Sequence, residues 1–332
     1  MHIELPVPGF VDLQVNGYLG VDFSSPSLSE EACLHACREL LRSGTAAFLP
    51  TIITSPLEVY RRNLPLLAGV IHRSEFQGHL LGIHLEGPFL SAQPGAVGAH
   101  NPAWVRATDV GLLYQLNEWA RGTIRLVTLA AELEGAEQTA RAAIEQGMVV
   151  SVGHTLATPG DLERLAKAGA TALTHLGNGL PQCLPKFANP IWAGLADDRY
   201  TAMLIGDGHH LPHEALKVMI RAKGVERTVI VSDAAPVAGL PPGRYHTLGN
   251  DAVLEPSGRL HNPEKACLVG SSLTLCQCMN YMASLGLWSL EELLAIGFTN
   301  PLRLLGLDPV DLPTGPNLSY DTDGRRFIPA PA

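Results

Sequence analysis

The segment GIHLEGPFLS, residues 82–91, places His84 and Glu86 at the end of a short apolar run. Gly87 and Pro88 follow at once, and this pair is typical of the end of a strand. A carboxylate at the end of a buried strand is costly unless a cation or hydrogen bonds compensate its charge. We therefore expect a positively charged group to lie opposite Glu86.

Short apolar runs alternate with segments of helical periodicity on both sides of this one. Most are apolar on both faces, as expected of parallel strands that are buried on two sides. Eight such alternations predict an α/β fold, a (β/α)8 TIM-like barrel, with a doubly wound sheet as the alternative. The predicted strands are 10–15, 46–53, 80–85, 124–130, 149–153, 172–176, 202–205 and 229–232.

The segments between the predicted strands carry the signals of helix ends. Residues 29–44 and 159–170 open with helix-initiating residues and close on glycine. Residues 271–286 and 289–307 predict two or three extra C-terminal helices packed on the barrel. We predict a barrel domain over residues 1–310 and a short C-terminal tail over 311–332.

Composition excludes several classes of protein. The chain has 332 residues, 46% of them hydrophobic, so it can bury a large core. Its formal net charge of -9, without any run of basic residues, argues against a nucleic-acid partner. We expect no signal peptide before the first strand, and no apolar stretch approaches the roughly 18 residues of a membrane span. We predict a cytoplasmic protein with no membrane partner, whose six cysteines are reduced and mostly serve core packing.

Polar residues collect at the ends of the predicted strands, where TIM barrels carry their chemistry. They are Asp12, Gln14, Asn16, Glu86, His154, His175, Asn178, Asp207, His210 and Asp233.

Three of these residues form a ligand set for a divalent metal ion. A catalytic zinc or similar ion takes about three ligands from His and carboxylate groups and keeps one position open for water. Glu86, His154 and His175 supply that set from three different strands, and the cation would compensate Glu86. Asp233, from the last strand, is then placed to exchange a proton with metal-bound water and the leaving group. The pattern predicts metal-assisted hydrolysis.

Each residue alone also has a purely structural interpretation. A single buried histidine is more often a hydrogen-bonded core residue, and an aspartate after a strand often caps the next helix. Asp207, within GDGHH, shapes a turn as readily as it serves a site. The joint placement of Glu86, His154, His175 and Asp233 is what favours a site.

With these four residues in view, the chain resembles the N-acetylglucosamine-6-phosphate deacetylase family of the amidohydrolase superfamily. The matching motifs run in family order: PGFVDLQVNG (8–17), GIHLEGPFLS (82–91), GAHNP (98–102), VGHT (152–155), THLGN (174–178), GDGHH (206–210), VSDA (231–234), GSSLTL (270–275) and TNPLRLLGL (299–307).

The resemblance implies hydrolysis of N-acetylglucosamine 6-phosphate to glucosamine 6-phosphate and acetate. It implies Glu86, His154 and His175 as metal ligands and Asp233 as the acid/base. It further implies that His100 polarises the acetyl carbonyl, that His210 helps to hold the sugar phosphate, and that Asn178 with the adjoining Gly179 lines the substrate pocket. A homodimer is also expected.

The metal count follows from the first and fourth strands. Two-metal members of the superfamily show His-x-His on the first strand and a modified lysine on the fourth. This chain has Gln14-Val15-Asn16 and LVTLAAE (126–132) there. Amide oxygens are poor zinc ligands, so we predict one divalent ion, zinc, with iron, manganese or cobalt as alternatives.

Three features depart from the family pattern. We expect the family's small β-sandwich domain to be reduced or absent, and residues 311–332 are predicted as its remnant. Lys186 stands where the family has an arginine that reaches the phosphate of the neighbouring subunit, and lysine lacks the bidentate fork. Gly177-Asn178-Gly179 replaces a bulkier run and opens the pocket wall.

Three functions therefore stay open. The first is a metal-dependent deacetylase of a phosphorylated N-acetyl amino sugar. The second is a related amidohydrolase acting on another N-acetyl hexosamine or small amide. The third is a catalytically weak paralogue that binds a sugar, which the intact set of Glu86, His154, His175 and Asp233 disfavours.

Overall fold

The computed structural model describes residues 4–313 and 318–329. The strands in chain order are β1 (Glu4–Val7), β2 (Phe10–Val15), β3 (Gly17–Tyr18), β4 (Val21–Asp22), β5 (Thr45–Ile53), β6 (Ile83–Glu86), β7 (Ile124–Leu129), β8 (Val149–Val152), β9 (Ala172–Leu173), β10 (Thr201–Ile205), β11 (Thr228–Val231), β12 (Gly243–Thr247), β13 (Asn250–Leu254), β14 (Leu260–Asn262), β15 (Cys267–Leu268), β16 (Leu318–Asp321) and β17 (Arg326–Pro329).

The α-helices are α1 (Glu30–Arg42), α2 (Leu57–Ile71), α3 (Val110–Trp119), α4 (Ala136–Glu145), α5 (Pro159–Ala168), α6 (Pro190–Ala196), α7 (His213–Lys223), α8 (Leu275–Ser284), α9 (Leu290–Leu294) and α10 (Asn300–Leu304). A π-helical turn, Ala295–Thr299, joins α9 to α10. Short 3-10 turns cover Ser74–Phe76, Pro102–Trp104, Val225–Arg227 and Pro309–Asp311.

Eight parallel strands form the central sheet in the order β2, β5, β6, β7, β8, β9, β10, β11. They coincide with the eight predicted strands to within a few residues, and helices follow the strands on the outside. Val15 of β2 forms a parallel bridge with Ala234, just after β11, and this contact brings the first and last strands together. The predicted (β/α)8 barrel is confirmed.

Apolar side chains from opposite strands fill the lower part of the barrel interior. Val11, Leu49, Leu126 and Met203 belong to one buried cluster. Leu302, in α10, joins the same cluster, so the predicted C-terminal helices contribute to the barrel core. The polar side chains at the carboxyl-terminal ends of the strands therefore rest on a close-packed apolar layer.

Capping residues explain where the helices begin. The side chain of Ser29 accepts a hydrogen bond from the backbone of Ala32, which starts α1. Thr158 and Asp161 form a capping box at the start of α5, and Gly169 ends that helix in the left-handed conformation. Both helices match their predicted segments.

A four-stranded antiparallel sheet, β12 to β15, lies between β11 and α8. The sequence analysis did not predict it. Its signal was the alternating run 243–254, with Gly249 at a tight turn between β12 and β13. This sheet carries residues that reach the site described below.

The N-terminal strand β1 pairs with β16, and β16 pairs with β17. This small sheet packs on the barrel through Phe327, whose ring centroid lies 4.8 Å from that of Phe10. The predicted tail, 311–332, includes residues 314–317 and 330–332, which lie outside the described part of the chain. Its assignment as a β-sandwich remnant, and the boundary at 310, stay predictions.

All six cysteines are free thiols. Cys33, Cys37, Cys276 and Cys278 are buried, whereas Cys183 is exposed, so the core-packing interpretation is wrong for Cys183. Over the described residues, 4–313 and 318–329, no helix is both long and apolar enough to cross a membrane.

Candidate active site

Glu86, His154 and His175 converge at the carboxyl-terminal end of the barrel. Oε1 of Glu86 lies 3.2 Å from Nε2 of His154 and 3.0 Å from Nε2 of His175. The two imidazole nitrogens are 3.1 Å apart. All three side chains are buried, and one possible ligand atom from each lies within 4.8 Å of the others. Residues far apart in sequence therefore present one carboxylate and two imidazoles to a single point.

The backbone at this point is strained. His154, His175 and Asp233 have φ values of 49°, 31° and 51°, in the left-handed region that side chains other than glycine rarely adopt. Each follows the last residue of a barrel strand by two positions. Such strain persists where the surrounding structure enforces it, and it concentrates at functional sites.

The donor set fits a divalent cation. Nδ1 of His154 lies 2.8 Å from the carbonyl oxygen of Ala96, so a neutral His154 donates its proton there and turns an unprotonated Nε2 toward the cluster. The Nε2 atoms of His154 and His175 lie 3.1 Å apart, and each lies within 3.2 Å of Glu86 Oε1. Two nitrogens and one carboxylate oxygen are a donor set typical of catalytic zinc and related metals. The cluster supports a divalent metal ion.

Glu86 and His175 shift one another's pKa. Burial raises the pKa of Glu86, but hydrogen bonding to His154 and His175 outweighs burial and holds that pKa well below its usual range. Burial lowers the pKa of His175, yet its contact with Glu86 raises it overall. Glu86 is thus kept as a carboxylate, the form that binds a metal.

Asp233 lies beside the cluster with its carboxylate held by two amides. Asn16 Nδ2 donates to Asp233 Oδ1 at 2.8 Å, and Gln14 Nε2 donates to the same oxygen at 3.1 Å. Burial, and then the negative charge of Glu86, raise the pKa of Asp233 to about 6. An acid/base works best with a pKa near the working pH, and this carboxyl group is shifted in that direction.

Gln14 links the proposed acid/base to the proposed metal ligands. Its Nε2 also donates to Glu86 Oε1 at 3.0 Å. The pairing of β2 with β5 is irregular between Asp12 and Val15, and an irregularity of this kind redirects side chains. The sequence analysis named Gln14 and Asn16 as polar strand-end residues but missed their contacts with Glu86 and Asp233.

His100 lies on the opposite side of His154 from the carbonyl of Ala96. Its Nε2 is 3.1 Å from His154 Nε2 and 3.9 Å from Glu86 Oε2. Burial, reinforced by the nearby His154, lowers the pKa of His100 to about 3, so its imidazole is neutral. A neutral imidazole can donate one hydrogen bond to an oxygen that gains negative charge.

A cavity of about 210 Å³ opens above the cluster. Asn178, Gly179 and His210 line it, as predicted for substrate contacts. Its far wall was not predicted and comes from the four-stranded sheet and the segment after it, through Leu248, Cys267 and Gly270.

His210 is held by Asp207. Nδ1 of His210 lies 2.7 Å from Oδ2 of Asp207, whose Oδ1 accepts the backbone N–H groups of His209 and His210. Burial raises the pKa of Asp207, but the charge and hydrogen bonds of His210 hold it well below its usual range. Asp207 thus has both the turn role and a side-chain contact within the site.

Lys186 does not line the cavity of its own chain. It is exposed, and its ammonium group lies 5.2 Å from the ring centroid of Phe187. The described residues that line the cavity include neither lysine nor arginine. The predicted contact of Lys186 with a neighbouring subunit stays a prediction.

Known proteins are similar to this chain in sequence and in fold. A model of the amidohydrolase family matches residues 6–310. The N-acetylgalactosamine-6-phosphate deacetylase of Escherichia coli O157:H7 is 33% identical over 309 residues, which cover 92% of this chain and 80% of that protein. The N-acetylglucosamine-6-phosphate deacetylase of Bos taurus is 36% identical over 315 residues, which cover 91% of this chain and 74% of that protein.

A solved structure is also similar over nearly the whole chain. It is a mutant of N-acetyl-D-glucosamine-6-phosphate deacetylase from Mycobacterium smegmatis in complex with N-acetyl-D-glucosamine-6-phosphate. The TM-score is 0.87 at 26% identity, and the match covers 98% of this chain and 87% of that chain. This chain belongs to the amidohydrolase family and, within it, to the N-acetylglucosamine-6-phosphate deacetylase family.

Proposed function

We propose that this protein hydrolyses the acetamide of an N-acetylated amino sugar 6-phosphate to acetate and the free amino sugar phosphate. The observation that carries the proposal is the convergence of Glu86, His154 and His175 beside the buried Asp233. The relatives support the substrate class, because those compared above are named as deacetylases of hexosamine 6-phosphates.

Asp233 moves the proton in this proposal. Its carboxylate takes a proton from the attacking water and delivers it to the sugar nitrogen as the carbon–nitrogen bond breaks. Asn16 and Gln14 hold the carboxylate through Oδ1 and leave Oδ2 for the water. His100 donates a hydrogen bond to the acetyl oxygen as negative charge develops there.

Glu86, His154 and His175 hold the metal ion. When bound, a divalent cation supplies Lewis acidity, which acidifies water and polarises a carbonyl group. We propose one ion, zinc, because Gln14 and Asn16 direct amide nitrogens rather than oxygens at the carboxylates of the site. A metal analysis of the purified protein tests both number and identity.

The sugar phosphate is proposed to lie near His210 and Asn178. His210 is supported by its place in the cavity lining and by its contact with Asp207, which holds the imidazole. The described cavity lining of one chain contains neither lysine nor arginine. A cation for the phosphate is therefore proposed to come from Lys186 of the other subunit of a homodimer in the cytoplasm. Lys186→Ala should raise KM for phosphorylated sugars and leave KM for neutral sugars unchanged.

The hexosamine itself is tested with a panel of four sugars. The relatives named above differ in hexosamine, one glucosamine and one galactosamine, so both 6-phosphates are candidates. Acetate release is measured for N-acetylglucosamine 6-phosphate, N-acetylgalactosamine 6-phosphate and the two unphosphorylated sugars. Turnover of one phosphorylated sugar supports the proposal, and release from none of the four contradicts it.

Asp233→Asn is the matched test of the mechanism. Asparagine keeps the shape of the side chain but cannot exchange the proton, so kcat should fall about 100-fold or more. The metal content should stay that of the wild type. Unchanged kcat would remove Asp233 from the mechanism.

A further inference from the structure

The seam between the first and last barrel strands is closed largely by side chains. In the described chain, β2 pairs with β5 and β11 pairs with β10, while the contact between β2 and β11 is one backbone bridge, Val15 with Ala234. Asn16 adds a backbone hydrogen bond to the oxygen of Ala234 at 2.8 Å. Asp233 lies on this seam, so whatever closes the seam also places Asp233.

Asp12, on β2, reaches across the seam to Ser232. Its Oδ2 accepts the hydroxyl proton of Ser232 at 2.5 Å, and its Oδ1 accepts the backbone N–H of Ser232 at 3.1 Å. Oδ1 also accepts the backbone N–H of Gln14 at 3.3 Å. Asp12 is 1% exposed. A buried carboxylate is expensive, and this one directs both of its oxygens at the residue before Asp233.

The hydroxyl of Ser232 is connected on both of its sides. While it donates to Asp12, it accepts the backbone N–H of Ala234 at 3.0 Å. Oγ of Ser232 therefore connects the residue before Asp233 to the backbone of the residue after it. A hydrogen bond that spans Asp233 in this way favours a tight backbone turn there.

The other side of the Asp233 backbone is also fixed. Ser271 donates its backbone N–H to the carbonyl oxygen of Asp233 at 2.8 Å, and Ala235 donates to the carbonyl oxygen of Ser271 at the same distance. With the Ser232 link, these bonds enclose Asp233 while its φ is 51°. An aspartate held in this sparsely populated conformation needs such support to stay there.

We propose that Asp12 is a positioning residue that fixes the left-handed backbone of Asp233 through the hydroxyl of Ser232. This conformation aims the Asp233 carboxylate at Asn16 and at the cluster of Glu86, His154 and His175. The catalytic consequence rests on the proposed role of Asp233; the structural consequence does not.

Ser232→Ala removes the hydroxyl group that bonds to Asp12 and to the backbone of Ala234. Asp12→Asn keeps the size of the side chain but replaces one of its two acceptor oxygens with an amide nitrogen. We expect each variant to lower kcat about tenfold or more while KM stays within about twofold, because substrate contacts are kept and the acid/base is displaced. The metal content should equal that of the wild type, because Glu86, His154 and His175 are untouched. Thr228→Val is the matched control, since it removes one buried hydroxyl from the other end of the same strand.

Three results would overturn the proposal. They are an unchanged kcat in Ser232→Ala, an equal fall of kcat in Thr228→Val, and a fall of kcat in Ser232→Ala that is explained by loss of metal.

A crystal structure of Ser232→Ala or Asp12→Asn gives a test that needs no substrate. We expect φ of Asp233 to leave the left-handed region, and a φ that stays near its present value contradicts the proposal. If the wild type releases no acetate, the proposed function fails, and this structural test still decides the role of Asp12.

Discussion

The side-chain amide nitrogen of Asn16 donates a 2.8 Å hydrogen bond to Oδ1 of Asp233. This bond opposes the effect of burial, which with the charge of Glu86 raises the pKa of Asp233 to about 6. A donor to the ionised form lowers a pKa, so Asn16 favours the carboxylate that accepts a proton.

Asn16→Ala should therefore shift the acid limb of the pH profile. A general base is active when deprotonated, so kcat/KM falls as pH falls through the pKa of Asp233. Loss of the Asn16 donor raises that pKa, and the limb should move to higher pH than in the wild type. The profile is measured from about pH 5 to about pH 8. The control is Asn117→Ala, which should leave the acid limb in place because Asn117 contacts Gln146 away from the site. If the acid limb also stays in place in Asn16→Ala, Asn16 does not influence the pKa of Asp233.

Glu86→Gln should reduce the metal content. The amide keeps the size of the side chain but removes the charge that balances a cation, and a neutral amide is a weak zinc ligand. Metal content is measured after dialysis against a metal-free buffer. The control is Glu132→Gln, because Glu132 follows the neighbouring strand but contacts Thr155 and Leu156 instead of the cluster. Full occupancy in Glu86→Gln would rule out Glu86 as a ligand.

The strand order and the cluster of Glu86, His154 and His175 could be predicted from the local sequence pattern. Glu86, His154 and His175 each lie within one residue of the end of a predicted strand, and this places their side chains at one rim once the strands are parallel and adjacent. The alternation of apolar runs with segments of helical periodicity carries this information without any knowledge of the loops. For the same reason Asp233 was found from the end of the last run.

The contacts that hold the site residues in place could not be predicted from the sequence pattern. Asp12, Gln14 and Asn16 act through an irregular pairing of β2 with β5, and register depends on contacts between strands. The left-handed conformations of His154, His175 and Asp233 are sparsely populated even for histidine and aspartate, so tertiary contacts impose them. The wall formed by Leu248 and Cys267 was missed because its short strands were hidden between stronger helical signals.

His84 should make stability depend on pH. It is fully buried, its Nε2 lies 2.8 Å from the hydroxyl of Thr128, and burial lowers its pKa to about 4. An unfolded histidine titrates near 6.5, so between about pH 6.5 and about pH 4 the unfolded chain binds the extra proton and stability falls as pH falls.

His84→Gln removes the titrating imidazole, so the free energy of unfolding should depend less on pH. Between about pH 7 and about pH 5, the wild type should lose about 2 kcal/mol more of its free energy of unfolding than the variant does. Urea unfolding of EDTA-treated protein measures this difference, because release of metal then makes no contribution. Equal losses in the two proteins would mean that the pKa of His84 in the folded protein equals its pKa in the unfolded chain.

Asp207→Asn should weaken the binding of a phosphorylated substrate more than that of a neutral one. Asparagine can still accept the backbone N–H groups of His209 and His210 through its oxygen, so the turn is kept. In place of Oδ2, asparagine presents an amide group that donates a hydrogen bond, so Nδ1 of His210 loses the acceptor that orients the ring. We expect KM for the preferred hexosamine 6-phosphate to rise about tenfold, with a smaller effect on kcat.

The unphosphorylated sugar is the matched control, and an equal rise in its KM would show that Asp207 shapes the cavity instead of orienting His210 toward the phosphate. Lys186→Ala in the same assay separates the two proposed phosphate contacts, since a rise in KM there with none in Asp207→Asn would assign the phosphate to Lys186 alone.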